Sequence, residues 1–385
     1  MSTTALIALL TAVSIPPVAS KPPTPAVKPP AAAAAAGMPA RTLIVLNKAE
    51  ATAFFFDLSS GSAPGVPGDA APVLRPFATL PTGDGPHEIA VSPDLKLAVG
   101  ANYGGPGAGG NSVVVFDFSA ATPTVARTID LGDYRRPHGL AWLPDSRHLL
   151  VTCEVQQKLL KLDVTEGKVV QTWPTGQKVS HMVELARSGR FAAVTNIGSG
   201  SVSLIDLAKE GEAAVTTVAT AAGAEGLAIS PDSREVWVCN NQADSVSIVS
   251  VPEGDLAGAK LEQTLALPKF PIRGAFTPDG KSFLASSAFT SELVVIDAKE
   301  RREIKRVSLK PDAGVNPDPL PDQGPAAGSS VPVGIVVLPD GTRAYISNTA
   351  TGTVAIVDLS TFTVAGHIRA GKGPDGIAVR VTPAK

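Results

Sequence analysis

The sequence predicts an all-β fold: a single seven-bladed β-propeller built from four-stranded antiparallel blades. Three observations predict it. Short Val-, Ile- and Leu-rich runs are separated by turns in a chain that holds 36 Gly and 34 Pro, and helical periodicity is hard to find. One strand-turn-strand unit recurs at fixed spacing. The two ends of the chain carry complementary parts of that same unit.

The unit is clearest over residues 136–164, RPHGLAWLPDSRHLLVTCEVQQKLLKLDV. It divides into strand, Pro-Asp turn, strand, short polar loop and strand ending in Asp. A first marker, before the first apolar run, falls at His87, His138, His181, Glu225, Ile272 and Val333. A second marker, ending the second strand, falls 15 residues later at Asn102, Cys153, Asn196, Asn240, Ser287 and Asn348. A third closes the third strand at Asp117, Asp163, Asp206, Ser250, Asp297 and Asp358. It follows the second by 10 residues except in the first unit, where a Gly-rich insertion makes the interval 15.

Between the first two markers lie Pro93-Asp94, Pro144-Asp145, Pro231-Asp232, Pro278-Asp279 and Pro339-Asp340, with Arg187-Ser188-Gly189 in the third unit. Proline presets φ for a turn, and Asp accepts from amides further along. The third-marker Asp residues are expected to cap the turn after the third strand, and the Asn residues at the second marker to cap the following loop. A fourth strand follows each unit.

The C-terminal GPDGIAVRVTPAK starts a seventh unit, with Asp375 at the first marker, and stops after one strand. The segment RTLIVLNKAEATAFFFDL at 41–58 carries Asn47 and Asp57 at the second and third markers, with no first strand before it. The N-terminal strands therefore complete the blade begun by the C-terminal strand. Closure pins both ends and removes the exposed sheet edges of an open array.

Residues 1–20 read as a probable signal peptide, with the apolar run Ala5–Ile15 and a small-residue site at Val18-Ala19-Ser20, though a basic start is missing. Residues 21–40 are a Pro/Ala-rich disordered tether, and 41–385 form the single propeller domain. The expected location is periplasmic or secreted, and the chain is expected to act as a monomer with no transmembrane span. Net charge is −2, so there is no basic field for nucleic acid. The two cysteines, Cys153 and Cys239, sit in apolar strand runs on non-adjacent blades and are expected to be buried free thiols.

The runs Val194-Thr195-Asn196, Val238-Cys239-Asn240 and Ile346-Ser347-Asn348, with Ser-Val-Ser-Leu-Ile-Asp at 201–206 and Thr-Val-Ala-Ile-Val-Asp at 353–358, resemble the YVTN-repeat, YncE-like propellers. The resemblance covers residues 41–385 and implies a secreted or periplasmic seven-bladed propeller. It leaves the chemistry open, because such folds host binding proteins, lactonases, lyases and dehydrogenase subunits.

First and second markers should crowd one mouth of the central channel. In ring order, five neighbouring blades then present Asp375, His87, His138, His181 and Glu225, while Ile272 and Val333 make the other side apolar. Glu154, Tyr103, Arg136 and Arg273 stand around this arc and complete the expected ligand-binding set. Each taken singly also suits a solvated rim, and each His could simply bond a neighbouring loop. His87, His138 and His181 are the candidate ligands for a divalent metal, zinc or copper, provided that the blades bring them within reach of one ion. The same three, with Glu225, are the candidate catalytic groups. A symmetric Pro-Asp hairpin places His138 opposite Cys153, His87 opposite Asn102, His181 opposite Asn196, Glu225 opposite Asn240 and Asp375 opposite Asn47; a bulge at the turn would shift each by one. The insertions at Tyr103–Asn111 and Pro311–Ser330 belong to the mouth, as lids or plain surface loops, and that at Ser59–Ala71 to the opposite face. His148 and His367 belong to neither.

The leading functional expectation is an exported binding or scaffold protein that uses this mouth for a small molecule, a metal ion or a protein segment. A metal-assisted lactonase-like hydrolase or lyase is the alternative, and a structural cell-envelope protein a third. There is no Gly-x-Ser-x-Gly elbow, His-Glu-x-x-His, phosphate loop or Cys-x-x-Cys-His haem site.

Overall fold

The structure, a computed structural model, describes residues 37–59, 74–107, 109–253 and 255–383. The expected signal peptide, nearly all of the tether and nearly all of the Ser59–Ala71 insertion lie outside the described residues.

Seven four-stranded antiparallel sheets form the ring. The innermost strands of blades 1 to 6 begin at Pro86, Pro137, Ser180, Ala224, Pro271 and Pro332. Blade 7 has Pro374–Val381 as its innermost strand, followed outward by Arg41–Asn47, Thr52–Asp57 and Ala78–Pro81. Leu43 pairs with Val379 and Ile44 with Ala378. The expected closure is thus observed.

Blades stack face to face, so middle strands are covered on both faces. Phe191–Asn196 and Ser201–Asp206 are buried at every position. The core consequently lies between blades, as where Trp237 and Ile248 of blade 4 meet Phe283 and Val294 of blade 5. The closing blade meets blade 1 through Phe55 and Phe116, edge to face at 5.5 Å between centroids. Each such fully buried side chain contributes roughly 1.5–3 kcal/mol. The outermost strands are mostly exposed, and charged residues such as Arg302, Glu303, Lys305 and Arg306 guard their free edges.

The turn chemistry follows expectation. Asp163 and Asp358 accept two backbone amides each after their third strands, and in the Pro-Asp hairpins Asp145 accepts two and Asp279 one. Second-marker Asn side chains tie the loop that enters their own blade to the third strand. Asn102 accepts from Gly83 N–H and donates to Ser112, and Asn47 accepts from Gly371 N–H and donates to Thr52.

The hairpin register departs from symmetry at the channel mouth. Leu140 faces Val151, as a symmetric hairpin requires, but Cys153 faces Pro137 and not His138. Asn102 likewise faces Pro86, Asn196 faces Ser180, Asn240 faces Ala224, and Asn47 faces Pro374. The cause is a β-bulge at the first marker of every blade, which sets two residues against one and re-aims both side chains. The residue two before each marker also has positive φ: Gly85, Arg136, Val179, Gly223, Phe270, Val331 and Gly373. Four of these are not glycine, and two are β-branched, so the chain accepts strain at four of the seven channel entries.

Candidate functional site

The bulge positions two consecutive residues per blade. The first is the marker itself, whose side chain lines the mouth in all seven blades: Asp375, His87, His138, His181, Glu225, Ile272 and Val333. A second ring comes from the residue after each second marker. Lys48, Tyr103, Glu154, Ile197, Asn241 and Thr349 all line the same mouth, which encloses about 700 Å³ of free space, part of it open to solvent. Lys48 and Asn241 were not anticipated. The signal was there in their position, one residue past Asn47 and Asn240.

The second bulge residue is Glu88, Gly139, Met182, Gly226, Arg273, Gly334 or Gly376. A Cβ on Gly226 would lie 2.3 Å from the Ile272 carbonyl oxygen, and one on Gly376 would lie 1.9 Å from that of His87. At these glycines the innermost strands therefore approach too closely for any side chain, whereas Glu88, Met182 and Arg273 occupy the position in the other three blades. Hydroxyls on the second strands stitch the blades at this level. Thr195 accepts from Met182 N–H and donates to the Glu225 carbonyl, and Ser347 accepts from Gly334 N–H and donates to that of Asp375.

Glu88 and Arg273 break the glycine pattern and meet each other. Arg273 donates from Nη2 and Nε to Glu88 Oε1 at 2.8 and 3.1 Å, and from Nη1 to Glu225 Oε1 at 3.1 Å. Blades 1 and 5 lie on opposite sides of the ring, so this pair crosses the channel. It forms the floor of the mouth. Burial disfavours the Arg273 charge, yet Glu88, Glu225 and Asp375 raise its pKa.

Above the floor the rings pack closely. The His138 and His181 rings lie 3.6 Å apart between centroids, and His87 and His138 lie 5.1 Å apart. Tyr103 is 4.3 Å from His87. His181 Nδ1 and Glu154 Oε1 are 2.6 Å apart, and Glu154 Oε2 accepts from the Tyr103 hydroxyl at 2.7 Å. Arg136 donates to that same hydroxyl at 2.8 Å and reaches the Gly107 carbonyl in the Gly-rich insertion. His87 Nδ1 is 2.7 Å from the Gly85 carbonyl, and its Nε2 is 4.0 Å from Asp375, which Lys48 pairs at 3.0 Å. Asn241 donates to Glu225.

Electrostatics differ among the three imidazoles. Burial pushes His138 well below its usual range, and the neighbouring His181 adds to this. Burial lowers His87 to about 4 despite Asp375. Burial also opposes charge on His181, but Glu154 and Glu225 outweigh it and raise its pKa to about 9. At neutral pH one charged imidazole thus stacks on a neutral one. Among the described residues, three buried polar atoms here lack a partner, His138 Nδ1, Asn241 Oδ1 and Asp375 Oδ1, while His181 Nε2 makes no close hydrogen bond but lies 3.5 Å from Glu225 Oε1. Such groups call for an explanation, often a ligand or ion.

One donor set has metal-site spacing. Single ligand atoms of His138, Glu154 and His181 all lie within 4.8 Å of one another, in a buried setting. His87 is outside this group, turned to Gly85 and Asp375. The apolar side is built by Phe270, Ile272, Ala288, Val331 and Val333, to which Ala326 from the 311–330 insertion adds. Lys178 stands exposed at the rim. His148 pairs with Asp145 at the opposite face, and His367 is buried near the Leu309 carbonyl. Cys153 and Cys239 are buried free thiols, with burial raising both pKa values.

The fold is widely shared. A protein of unknown function from Desulfotomaculum acetoxidans DSM 771 superposes with a TM-score of 0.67 at 12% identity, over 89% of this chain and 99% of that one. The periplasmic gluconolactonase PpgL of Pseudomonas aeruginosa gives 0.65 at 17% identity, over 89% and 99%. The dihydro-heme d1 dehydrogenase NirN, in complex with DHE, gives 0.58 at 17% identity, over 92% and 78%. No curated protein sequence matches the chain. At these identities the structural likeness shows the fold alone. The YncE-like resemblance finds support only as a propeller, because the family model that matches is another one, described as the Cytochrome D1 heme domain, over residues 109–316. That span is more than half of the 385 residues, and the chain belongs to the Cytochrome D1 heme domain family.

Proposed function

We propose that this propeller is a binding protein whose channel mouth holds a divalent transition-metal ion on His138, His181 and Glu154, with room beside it for a small ligand. The observation that carries this is the unpartnered nitrogen His138 Nδ1 on a buried ring stacked on His181, with a ligand atom of each imidazole and of Glu154 within 4.8 Å of one another. Two imidazoles and one carboxylate suit zinc or iron(II) and leave coordination positions open. Donors 4.8 Å apart or closer need only rotamer adjustments to meet an ion about 2 Å from each. His138 is already neutral, so its lone pair is free to coordinate. His181 must lose its proton when the ion enters.

The family name implies a tetrapyrrole, and the mouth does not fit one in this arrangement. A haem needs an axial ligand facing a flat slot. Here His138 and His181 stack on each other across the space that such a slot requires. Two of the cations that would receive its acid groups are taken: Arg273 by Glu88 and Glu225, Lys48 by Asp375.

A second reading, lactonase-like hydrolysis, draws on the PpgL likeness and on His87, which is neutral, lies outside the donor set and could act as a general base beside an ion-polarised carbonyl. Export through residues 1–20, with 21–40 as a tether, belongs to the same proposal, as does a periplasmic location. No described helix is long and apolar enough to cross a membrane.

Calorimetric titration of the purified full chain with zinc tests the site. One ion should bind, the melting temperature should rise, and His138→Ala should abolish both. Absence of heat with an unchanged melting temperature defeats the metal site. Activity on a panel of lactones that His138→Ala removes would favour the hydrolase.

A further inference from the structure

Below the Glu88–Arg273 pair the channel continues as a separate chamber that opens at the Pro-Asp hairpin face, with about 1560 Å³ of free space continuous with solvent. Its walls are mixed: Leu185, Leu227, Ile229, Ile335, Val337 and Ile377 give it an apolar lining, interrupted by Ser230, Thr277 and Arg187 and closed by the Glu88–Arg273 pair. One acidic side chain breaks the pattern of the inner strands. Three residues past the first marker, six blades carry Ala90, Ala141, Ala228, Ala275, Val336 and Ala378, whereas blade 3 carries Glu184.

Glu184 faces the chamber, and its only hydrogen bond among the described residues is from Ile229 N–H to Oε2 at 3.1 Å. No cation pairs with it among the described residues. The other acidic groups of the channel are matched: Glu88 and Glu225 on Arg273, Asp375 on Lys48, Glu154 on His181. Arg187 lines the same chamber but stands exposed and makes no ion pair with Glu184 among the described residues. Burial alone holds Glu184 up to about 8, with the Ile229 amide opposing.

We propose that the lower chamber is a second ligand site, for an organic ammonium ion with an apolar body whose N–H groups bind the Glu184 carboxylate. The walls match the apolar body. The one unmatched carboxyl, half-buried in the chamber wall, matches the charge, and a carboxylate drawn partly out of water gains from a partner that is both charged and hydrogen-bonding. The site is independent of the mouth, because the Glu88–Arg273 pair stands between them.

The test is calorimetric titration of the full chain at pH 7 with n-hexylammonium chloride, beside hexanoate and hexanol. Hexylammonium should bind with one-to-one stoichiometry and release a proton from Glu184. Glu184→Gln, which keeps an acceptor for Ile229 N–H, should weaken it at least tenfold, and His138→Ala should leave it unchanged. Should Glu184→Gln not fold, Ala275→Leu narrows the chamber without touching the carboxyl and must weaken hexylammonium. Equal binding of hexanoate, equal binding by Glu184→Gln, or no binding by the wild type overturns the proposal.

Discussion

Glu88 and Arg273 are 185 residues apart in sequence and on opposite sides of the ring, yet Arg273 gives Glu88 Oε1 two hydrogen bonds, at 2.8 and 3.1 Å. The pair is buried and crosses the channel. Removing one partner leaves a buried charge without its counterion, which costs about 3–5 kcal/mol. Arg273→Met should therefore lower stability by about that much in urea unfolding. Glu88→Gln combined with Arg273→Met should recover part of the loss. A double variant no better than the single would show that the pair is not coupled.

Zinc affinity should rise with pH. His181 is held protonated up to about 9 by Glu154 and Glu225, against burial, so the ion displaces a proton over this range. The expected gain is at most about tenfold per pH unit up to about 9, flattening above it. Calorimetry in buffers of different ionisation heat would count the proton. A pH-independent affinity contradicts a role for His181 as ligand.

Glu184 should make stability fall as pH rises. Its folded-state pKa is about 8, above the ordinary 4.5, so its contribution is complete below about 4.5 and lost as pH climbs through about 8. Glu184→Gln should be less pH-sensitive between pH 5 and pH 9 by on the order of a few kcal/mol. Urea midpoints of both proteins at the two pH values check this. Parallel curves would mean that the carboxyl ionises normally.

Gly376→Ala should destabilise by about 1–3 kcal/mol or more, because its Cβ would sit 1.9 Å from the His87 carbonyl, a backbone atom that cannot rotate away. Gly105→Ala, with nothing within 4 Å, serves as the control. Equal melting temperatures for the two variants would show that blades 7 and 1 separate easily.

The blade count and its closure were legible because strand pairing obeys local rules. Turns bear Pro-Asp, loops follow Asn, and a 15-residue interval leaves one arrangement for each hairpin. The ring of first markers was legible for the same reason. The bulge was not, since it comes from the seven-fold crowding of innermost strands and from left-handed entry residues such as Val179 and Val331 that propensity argues against. Without the bulge, Glu88 could not be seen to point inward, and so its partnership with Arg273 stayed hidden. Convergence of His138 with His181, and of Glu154 with His181 in place of His87, depends on side-chain rotamers between blades. No spacing in the chain encodes that.

The seam between Arg41–Asn47 and Pro374–Val381 has a consequence for biogenesis. Lys48 and Asp375 are 327 positions apart, and both belong to the seam blade. Arg41–Asn47 can pair at once with Thr52–Asp57, but its inner edge waits until Pro374–Val381 has been made. Until then Leu43 and Val45 lack Tyr345, Val354 and Ile377, which cover them in the closed ring. Ring closure is therefore gated by synthesis of residues 374–381, and holdase chaperones have a long interval in which to act.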